Sequence, residues 1–252
     1  MNSTPVSCGM VIPAYRESAR IKPFLAALCE TLTPLPQCRV LVVDDGSGAE
    51  EQRRLFQIVN DLRSEYSNLL VPLLLEKNLG KGGAILAGWK QLAEEVAWLG
   101  FADADGASPA SEVFRILNSL PGPQEKPACF FASRVKMLGK TVDRKLYRHL
   151  IGRVYATIVS NCLGLPVYDS QCGLKVIPTV AFKHIEPFLG TNDFAFDVEL
   201  LAALVNSGFQ VLEVPINWSD VPGSKVHLIR DSFKMLSSVW KISRRYRLGE
   251  KA

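Results

Sequence analysis

Two aspartates, Asp103 and Asp105, stand on either side of one alanine, directly after the apolar run 98–102. Such a run predicts a buried strand, so both carboxylates are expected at its end, facing one ligand. Paired carboxylates repel an anionic ligand such as a diphosphate unless a hard divalent cation lies between them. The pattern indicates a Mg²⁺ or Mn²⁺ site, although Asp-x-Asp is also common in turns and surface loops.

A second polar turn, Asp44-Asp45-Gly46-Ser47, follows the apolar run 40–43. One interpretation is structural, because Asp and Gly form turns and Ser can cap the next helix. The functional interpretation is that one carboxylate accepts hydrogen bonds from the base or ribose of a nucleotide. Gly46 would then let the backbone pass close to that nucleotide.

A glycine-rich segment, residues 78–83 (NLGKGG), has the composition of a phosphate-binding loop and carries Lys81 before a predicted helix. Its spacing is not G-x-x-x-x-G-K-[ST], and no G-x-G-x-x-G follows the first predicted strand. Both absences weigh against a P-loop nucleotide hydrolase and a dinucleotide-binding oxidoreductase. A glycine-rich helix entry with an exposed lysine is the alternative to a phosphate contact by Lys81.

These motifs need elements to position them, and the chain alternates short apolar runs with helix-length amphipathic segments. The predicted strands are 9–12, 40–43, 69–75, 98–101 and 128–132, and the predicted helices are 18–32, 50–65, 82–96 and 110–120. This βαβ rhythm predicts an α/β fold with a Rossmann-like, mostly parallel sheet flanked by helices. Ligands in such sheets bind beyond the carboxyl ends of the strands, where the motifs above fall.

The composition sets wider limits. A chain of 252 residues with 48% hydrophobic residues can bury one sizeable core, so we expect a single domain over 1–252. A net charge of +4 gives no reason to expect nucleic acid as a partner. The six cysteines show no C-x-x-C pair and are expected to be reduced. Without a signal-like N-terminus or an apolar run of about 18 residues, the chain is expected neither to be secreted nor to span a bilayer.

Positive charge is concentrated at the C-terminus, where eight Lys and Arg and only two acids occur from Lys225 onward. A helix is predicted over 227–247, with apolar residues at i, i+4, i+7 and i+11 beside a basic stripe: Ile229, Phe233, Leu236 and Trp240, then Arg230, Lys234, Lys241 and Arg245. Such an amphipathic basic helix binds an anionic membrane surface or packs on its own domain, and both interpretations stay open.

Together the motifs resemble family 2 glycosyltransferases, which have the GT-A fold. They are VIPAYRE (11–17), VDDGS (43–47), NLGKGG (78–83), DADGA (103–107), DSQCGLK (169–175), FAFDVELL (194–201) and VPGSKV (221–226). The last three are similar to the polyprenyl-phosphate branch. Within it the chain most resembles dolichyl-phosphate β-glucosyltransferases and, more distantly, dolichyl-phosphate mannosyltransferases, over about residues 9 to 240.

The resemblance implies an inverting hexosyltransferase that moves glucose from UDP-glucose to a polyprenyl or dolichyl phosphate. It implies donor contacts by Pro13, Tyr15, Glu17, Val43, Asp45, Lys81, Asp103, Ala104, Asp105, Arg134 and Lys225. The metal would be held by Asp103 and Asp105, and the acceptor phosphate by Arg148 and Arg134. The residues expected to act in catalysis are Asp105, Arg134, Lys225 and Asp197; Asp197 and Glu199 match acidic acceptor-side positions.

Two positions favour UDP over GDP, because Ala107 and Ser219 depart from the mannosyltransferase pattern. A phosphate acceptor is already ionised at neutral pH, so no general base is required. The resemblance places the nucleotide-sugar half at 9–132 and the acceptor half at 133–226, on a protein expected to be peripheral on the cytoplasmic face of a membrane. The competing hypotheses are a soluble family 2 enzyme acting on a sugar or protein hydroxyl, and a nucleotide-sugar-binding module without turnover.

Overall fold

The computed structural model describes residues 7–122, 127–144, 146–165, 167–221 and 228–246. The strands are β1 (Cys8–Ala14), β2 (Cys38–Asp44), β3 (Leu73–Leu74), β4 (Trp98–Ala102), β5 (Cys129–Ser133), β6 (Val142–Asp143), β7 (Leu174–Pro178), β8 (Val211–Pro215) and β9 (Trp218–Ser219). The helices are α1 (Ile21–Thr31), α2 (Ala49–Arg63), α3 (Lys81–Leu92), α4 (Ala110–Asn118), α5 (Leu146–Leu163), α6 (Thr179–Ile185), α7 (Phe196–Asn206) and α8 (Leu228–Tyr246).

Seven strands form one sheet in the order β3-β2-β1-β4-β7-β5-β8. All neighbouring pairs are parallel except those of β7, which runs antiparallel to both β4 and β5. The carboxyl ends of β1, β2, β4, β5 and β8 therefore meet at one edge, and β7 begins there. The predicted mostly parallel sheet is confirmed, with β7 as its antiparallel member.

Helices cover both faces of the sheet, which is why β1, β4 and residues 40–43 of β2 are apolar without interruption rather than alternating. One core cluster packs side chains of α3, α5, α6, α7 and α8 on the sheet, and the other packs side chains of α1, α2 and α4. The Trp89 indole of α3 donates a hydrogen bond to the Gly100 carbonyl of β4 at 2.9 Å. That bond fixes α3 across the middle of the sheet.

Several parts of the sheet differ from the sequence prediction, which did not include β8 at the edge beside β5. The strand predicted over 69–75 pairs only at Leu73–Leu74 and at an isolated bridge between Leu69 and Val40. Pro72 lies between these two contacts and has no N–H to donate to the ladder. The segment predicted only as glycine-containing, 169–176, enters β7.

Helix α8 agrees closely with the predicted span, but its packing face differs from the predicted stripe. Within the described side chains, Val239, Ile242 and Tyr246 are buried in the core, whereas Trp240 is 53% exposed with the Arg244 guanidinium 3.6 Å from its ring centroid. The side chains of Ile229, Phe233 and Leu236 lie outside the described residues. Among the described helices, none combines the length and apolarity needed to cross a bilayer.

Candidate active site

The sheet edge where the parallel strands end brings most of the predicted site residues together. The loops after these strands are joined by backbone hydrogen bonds of 2.8 Å, from Asp45 N to the Ala14 carbonyl and from Asp103 N to the Gly173 carbonyl. Arg16 N also donates to Ser47 Oγ at 2.8 Å. The motifs after β1, β2 and β4 and the segment before β7 thus form one continuous surface.

Asp45 organises the glycine-rich loop. Its carboxylate accepts hydrogen bonds from Asn78 Nδ2 at 2.9 Å, Leu79 N at 2.7 Å and Gly80 N at 2.9 Å. Burial raises the pKa of Asp45, and the two backbone N–H groups oppose that rise. Gly46 has φ +64°, and a Cβ on it would lie 2.2 Å from the Lys77 carbonyl carbon, so this turn requires glycine. The predicted nucleotide-binding acid therefore also holds the loop that carries Lys81.

At the end of β1, an exposed aromatic ring lies beside a fixed acid. Tyr15 is partly exposed, and the Arg16 guanidinium lies 5.2 Å from its ring centroid. Glu17 is buried and forms an ion pair with Arg20. Pro13 lies in register with Val43 on β2, and the Val43 side chain belongs to the core. This arrangement suits a nucleobase that stacks on the Tyr15 ring at the ends of β1 and β2.

The predicted metal ligands lie beyond β4. Asp103 has a side chain that is 39% exposed, and Ala104 is buried between it and Asp105. Burial, followed by the charge of Asp103, raises the pKa of Asp105, whose Oδ1 accepts a hydrogen bond from Ala107 N at 3.0 Å. Within the described part of the chain, no three His, Cys, Asp or Glu residues form a metal-binding group. Two carboxylates fit a Mg²⁺ or Mn²⁺ that takes its other ligands from a diphosphate and water.

A line of alternating charges runs from the core to Asp103. Lys81 Nζ lies 2.8 Å from Asp103 Oδ1 and 3.3 Å from Asp197 Oδ2. Asp197 also pairs with Lys175, which is 0% exposed and donates to the Cys172 carbonyl at 2.8 Å. Burial disfavours the ionised form of Asp197, but the two lysines outweigh it and lower its pKa. The pKa of Lys81 is raised above its ordinary range by Asp103 and Asp197, against the effect of burial.

Lys175 was not identified from the sequence. The signal was a lysine inside the apolar run Leu174 to Ile177, which a surface strand would also show. The glycine before that run has a geometric role as well, since a Cβ on Gly173 would lie 1.8 Å from Asp103 Oδ2. The segment from the second half of the chain therefore touches the predicted metal ligand directly.

Arg134, at the end of β5, is held by an acid that the sequence analysis did not single out. Its Nε and Nη2 donate to Asp169 at 2.6 and 2.7 Å, and its backbone N donates to the same carboxylate at 3.0 Å. Burial disfavours the ionised form of Asp169, yet Arg134 outweighs it and keeps that pKa far below its usual range. Within the described residues, Asp169 is the side chain that accepts hydrogen bonds from Arg134, and a guanidinium has further N–H groups that could bind a ligand.

Arg144 is a further basic residue that the sequence analysis did not select. Burial, followed by the positive charge of Arg134, lowers the pKa of Arg144 to about 10. Over the described ranges, Arg144 is in no ion pair with Asp or Glu. The carboxylates of Asp169 and Asp220 raise the pKa of Arg144 against the larger effects of burial and Arg134. Two guanidinium groups in one corner of the site suit an anionic ligand.

Two predicted contacts, Lys225 and the side chain of Arg148, cannot be placed, and Glu199 has another role. Lys225 lies outside the described residues, and Arg148 belongs to the first turn of α5 with a side chain outside the described part. Glu199 accepts hydrogen bonds from Gly190 N at 2.9 Å and Thr191 N at 2.7 Å and also pairs with Arg245 of α8. Glu199 thus anchors α8 to the body of the protein.

The fold and the paired aspartates at its sheet edge define a glycosyltransferase of the GT-A type. Residues 10–185 match the family model for glycosyl transferase family 2, and the chain belongs to that family. It is 30% identical over 256 residues to the dolichyl-phosphate β-glucosyltransferase of Saccharomyces cerevisiae, covering 95% of this chain and 75% of the yeast protein. The human dolichyl-phosphate β-glucosyltransferase is 28% identical over 228 residues, covering 86% of this chain and 68% of that one.

A solved structure shows the same fold. Glucosyl-3-phosphoglycerate synthase from Mycobacterium tuberculosis, in complex with Mn²⁺, uridine diphosphate and glucosyl-3-phosphoglycerate, aligns with a TM-score of 0.67 at 15% identity, covering 98% of this chain and 82% of that chain. The predicted family, its GT-A fold and the resemblance to dolichyl-phosphate β-glucosyltransferases are confirmed.

Proposed function

We propose that this chain transfers glucose from UDP-glucose to the phosphate of dolichol or another polyprenol at a membrane surface. Relatives over most of the chain are dolichyl-phosphate β-glucosyltransferases. The observation that carries the proposal is that the carboxylates beside Lys81 and Arg134 are engaged in ion pairs. Asp197 and Asp169 are both ion-paired, and both have lowered pKa values.

Paired acids of this kind are poor general bases. An acceptor hydroxyl needs a base whose pKa lies near the working pH, and these carboxylates are held below their usual range. An acceptor phosphate needs no base, because it is already an anion. The ion pairing of Asp197 and Asp169 therefore favours a phosphate acceptor over a sugar or protein hydroxyl.

The acceptor phosphate would be bound by cations at the end of β5. Arg134 is fixed by Asp169, and Arg144 adds a second guanidinium that forms no ion pair within 4 Å among the described residues. We add Arg144 to the predicted pair of Arg148 and Arg134. Lys225 stays a predicted contact to the diphosphate.

The donor would lie along the ends of β1, β2 and β4. Its base would rest on Tyr15, with Pro13, Glu17, Val43 and Asp45 shaping the pocket, and its diphosphate would meet Asp103, Ala104, Asp105 and Lys81. A bound Mg²⁺ or Mn²⁺, held by Asp103 and Asp105, would neutralise charge on the diphosphate. Lys81 supplies a fixed positive charge next to the same aspartate.

In the transfer itself, a phosphate oxygen of the acceptor forms a bond to the anomeric carbon while the bond from that carbon to the UDP oxygen breaks. UDP leaves with the electron pair, and the α-linked sugar becomes β-linked. Lys81 and Arg134 act by holding and neutralising the two phosphate groups on opposite sides of the reacting carbon. No residue of the chain has to move a proton in this step.

The test is a transfer assay with a panel of radiolabelled UDP-sugars and GDP-sugars and a polyprenyl phosphate in vesicles, with Mn²⁺, with Mg²⁺ or with chelator. We expect product from UDP-glucose, only when a divalent ion is present. UDP with Mn²⁺ should also raise the melting temperature more than GDP does. Product from a GDP-sugar alone, or full activity in chelator, would contradict the donor and metal assignments respectively.

Variants separate the two substrates. Asp105→Asn should abolish transfer and weaken calorimetric binding of UDP in Mn²⁺, whereas the exposed control Asp61→Asn should change neither. Arg144→Ala and Arg148→Ala should reduce acceptor use roughly tenfold to a hundredfold, from the loss of one charge-assisted contact, and leave UDP binding nearly intact. Efficient transfer to a sugar hydroxyl without lipid would overturn the acceptor assignment.

A further inference from the structure

The first half of α5 exposes a row of apolar side chains. Its members are Tyr147, Leu150, Ile151 and Val154, and we name them the α5 stripe. Their spacing of i, i+3, i+4 and i+7 places them on one helical face, with Leu150 57% and Val154 62% exposed. The other face of the helix is buried at Ala156, Val159 and Leu163. A contiguous apolar patch of this kind on a soluble surface marks an interaction site.

The sequence of α5 and of the segment before it is rich in positive charge. Helix α5 contains no Asp or Glu, and the segment 134–145 that precedes it contains five basic residues and a single acid, Asp143. Lys136 is among the exposed residues of that segment. Apolar side chains on a segment rich in basic residues match an anionic bilayer, whose surface attracts Lys and Arg while its interior accepts the apolar groups.

Helix α5 also contacts the proposed phosphate site. A Cβ built on Gly152 would lie 2.6 Å from Arg144 Nη2, so the Arg144 guanidinium rests directly on α5 at Gly152. Residues two apart on a helix do not share a face, so Gly152 lies on the side of α5 away from Leu150 and Val154. The same helix thus presents apolar side chains on one side and packs against a candidate phosphate-binding cation on another.

We infer that the α5 stripe is the surface by which this protein lies on an anionic lipid bilayer. The inference rests on the proposed function, since it deepens the assignment of a lipid phosphate as acceptor. It moves the main membrane contact from α8, where the sequence predicted it, to α5. In the described part of α8, Val239, Ile242 and Tyr246 face the core and Arg245 pairs with Glu199.

The experiment is flotation of the full chain with vesicles of phosphatidylcholine and phosphatidylserine, without donor or acceptor. Val154→Glu and, as a second variant, Leu150→Glu should each lower the partition coefficient about tenfold or more, because an inserted apolar side chain is replaced by a charge. The matched control is Val180→Glu on α6, because this valine is 63% exposed and does not belong to the α5 stripe. It should bind vesicles within about twofold of the wild type.

Turnover then separates this inference from the proposed function. Val154→Glu should lose transfer to a polyprenyl phosphate in vesicles but keep transfer to a water-soluble short prenyl phosphate. If the wild type transfers to neither acceptor, the proposed function fails, while the flotation result still decides the docking surface.

Three outcomes would overturn the α5 surface. The first is equal flotation of Val154→Glu, Leu150→Glu and Val180→Glu. The second is loss of flotation only in Trp240→Glu, which would return the contact to α8. The third is a change from dimer to monomer in Val154→Glu by light scattering with flotation unchanged, because a second copy of the chain would then be what covers the stripe.

Discussion

Replacing Lys175 with methionine should destabilise the protein strongly without changing its surface. Lys175 is 0% exposed, and its ammonium pairs with Asp197 and lies 5.0 Å from the Phe131 ring centroid and 5.4 Å from that of Phe101. Methionine has a similar length but no charge, so Asp197 would keep only Lys81 as a partner. Removing one partner of a buried ion pair costs about 3 to 5 kcal/mol, and the remaining lysine places this case near the lower value, about 3 kcal/mol.

Urea denaturation followed by tryptophan fluorescence measures this loss. Lys183→Met is the matched control, because Lys183 and Glu94 form a pair of 2.9 Å whose side chains are both largely in solvent. Exposed pairs contribute about 0 to 1 kcal/mol, so this variant should unfold almost as the wild type does. A double variant, Lys175→Met with Asp197→Asn, should recover about 2 kcal/mol relative to the sum of the single changes.

The penalty should also depend on pH. In the wild type, Lys175 and Lys81 lower the pKa of Asp197, so its ionised form adds stability at neutral pH that is lost as the pH falls through that lowered pKa. Without Lys175, burial pushes the pKa of Asp197 upward, and acid protonates the uncompensated carboxylate. The difference between wild type and Lys175→Met should therefore shrink as the pH falls. Additive single changes, or a penalty that grows in acid, would refute the charge argument.

Two further results are expected. Gly46→Ala should lower the free energy of unfolding by at least about 2 kcal/mol more than Gly48→Ala, measured by thermal or urea unfolding. Both glycines have positive φ, but only a Cβ on Gly46 would clash with the Lys77 backbone. Equal losses in the two variants would contradict this clash. In the native state one thiol per chain, that of Cys162, should react with a thiol reagent at pH 8, since it is exposed, whereas burial raises the pKa of Cys29 to about 12. All six should react in urea, and several fast-reacting native thiols would contradict the described burial.

The sequence predicted most of the sheet because β1, β2, β4 and β5 are continuous apolar runs with helix-length segments between them. It missed β7, because a lysine in the apolar run of this strand argues against burial. Lys175 is buried only because it pairs with Asp197, which lies 22 residues later in the sequence. It also overextended β3, although Pro72 was a local signal that could have shortened it. Local patterns therefore located five of the seven strands and missed β7, which depends on a distant partner, and β8, whose five residues (VLEVP) include a glutamate.

The candidate site shows the same division. Asp45, Asp103 and Arg134 lie at strand ends as predicted. Each directly follows one of the parallel strands β2, β4 and β5, whose carboxyl ends share one edge of the sheet. Their partners were not predictable, since Asp45 binds a loop 33 to 35 residues later and Arg134 binds Asp169, 35 residues later. Arg144 carried no motif of its own, and only its contact with Gly152 on α5 and the charge of Arg134 distinguish it from other basic residues of its segment.

The antiparallel strand β7 has a consequence for how the protein is made. During synthesis, β1 to β4 emerge first and can form the sheet β3-β2-β1-β4, but β4 pairs on its other side only with β7, through contacts such as Leu99 with Ile177. Until residue 178 has left the ribosome, β4 presents an open edge of unpaired backbone groups, and β5 lacks its neighbour toward the centre of the sheet. A nascent chain that pauses before β7 would therefore expose a strand edge next to the metal aspartates, at the stage when aggregation with another chain competes with folding.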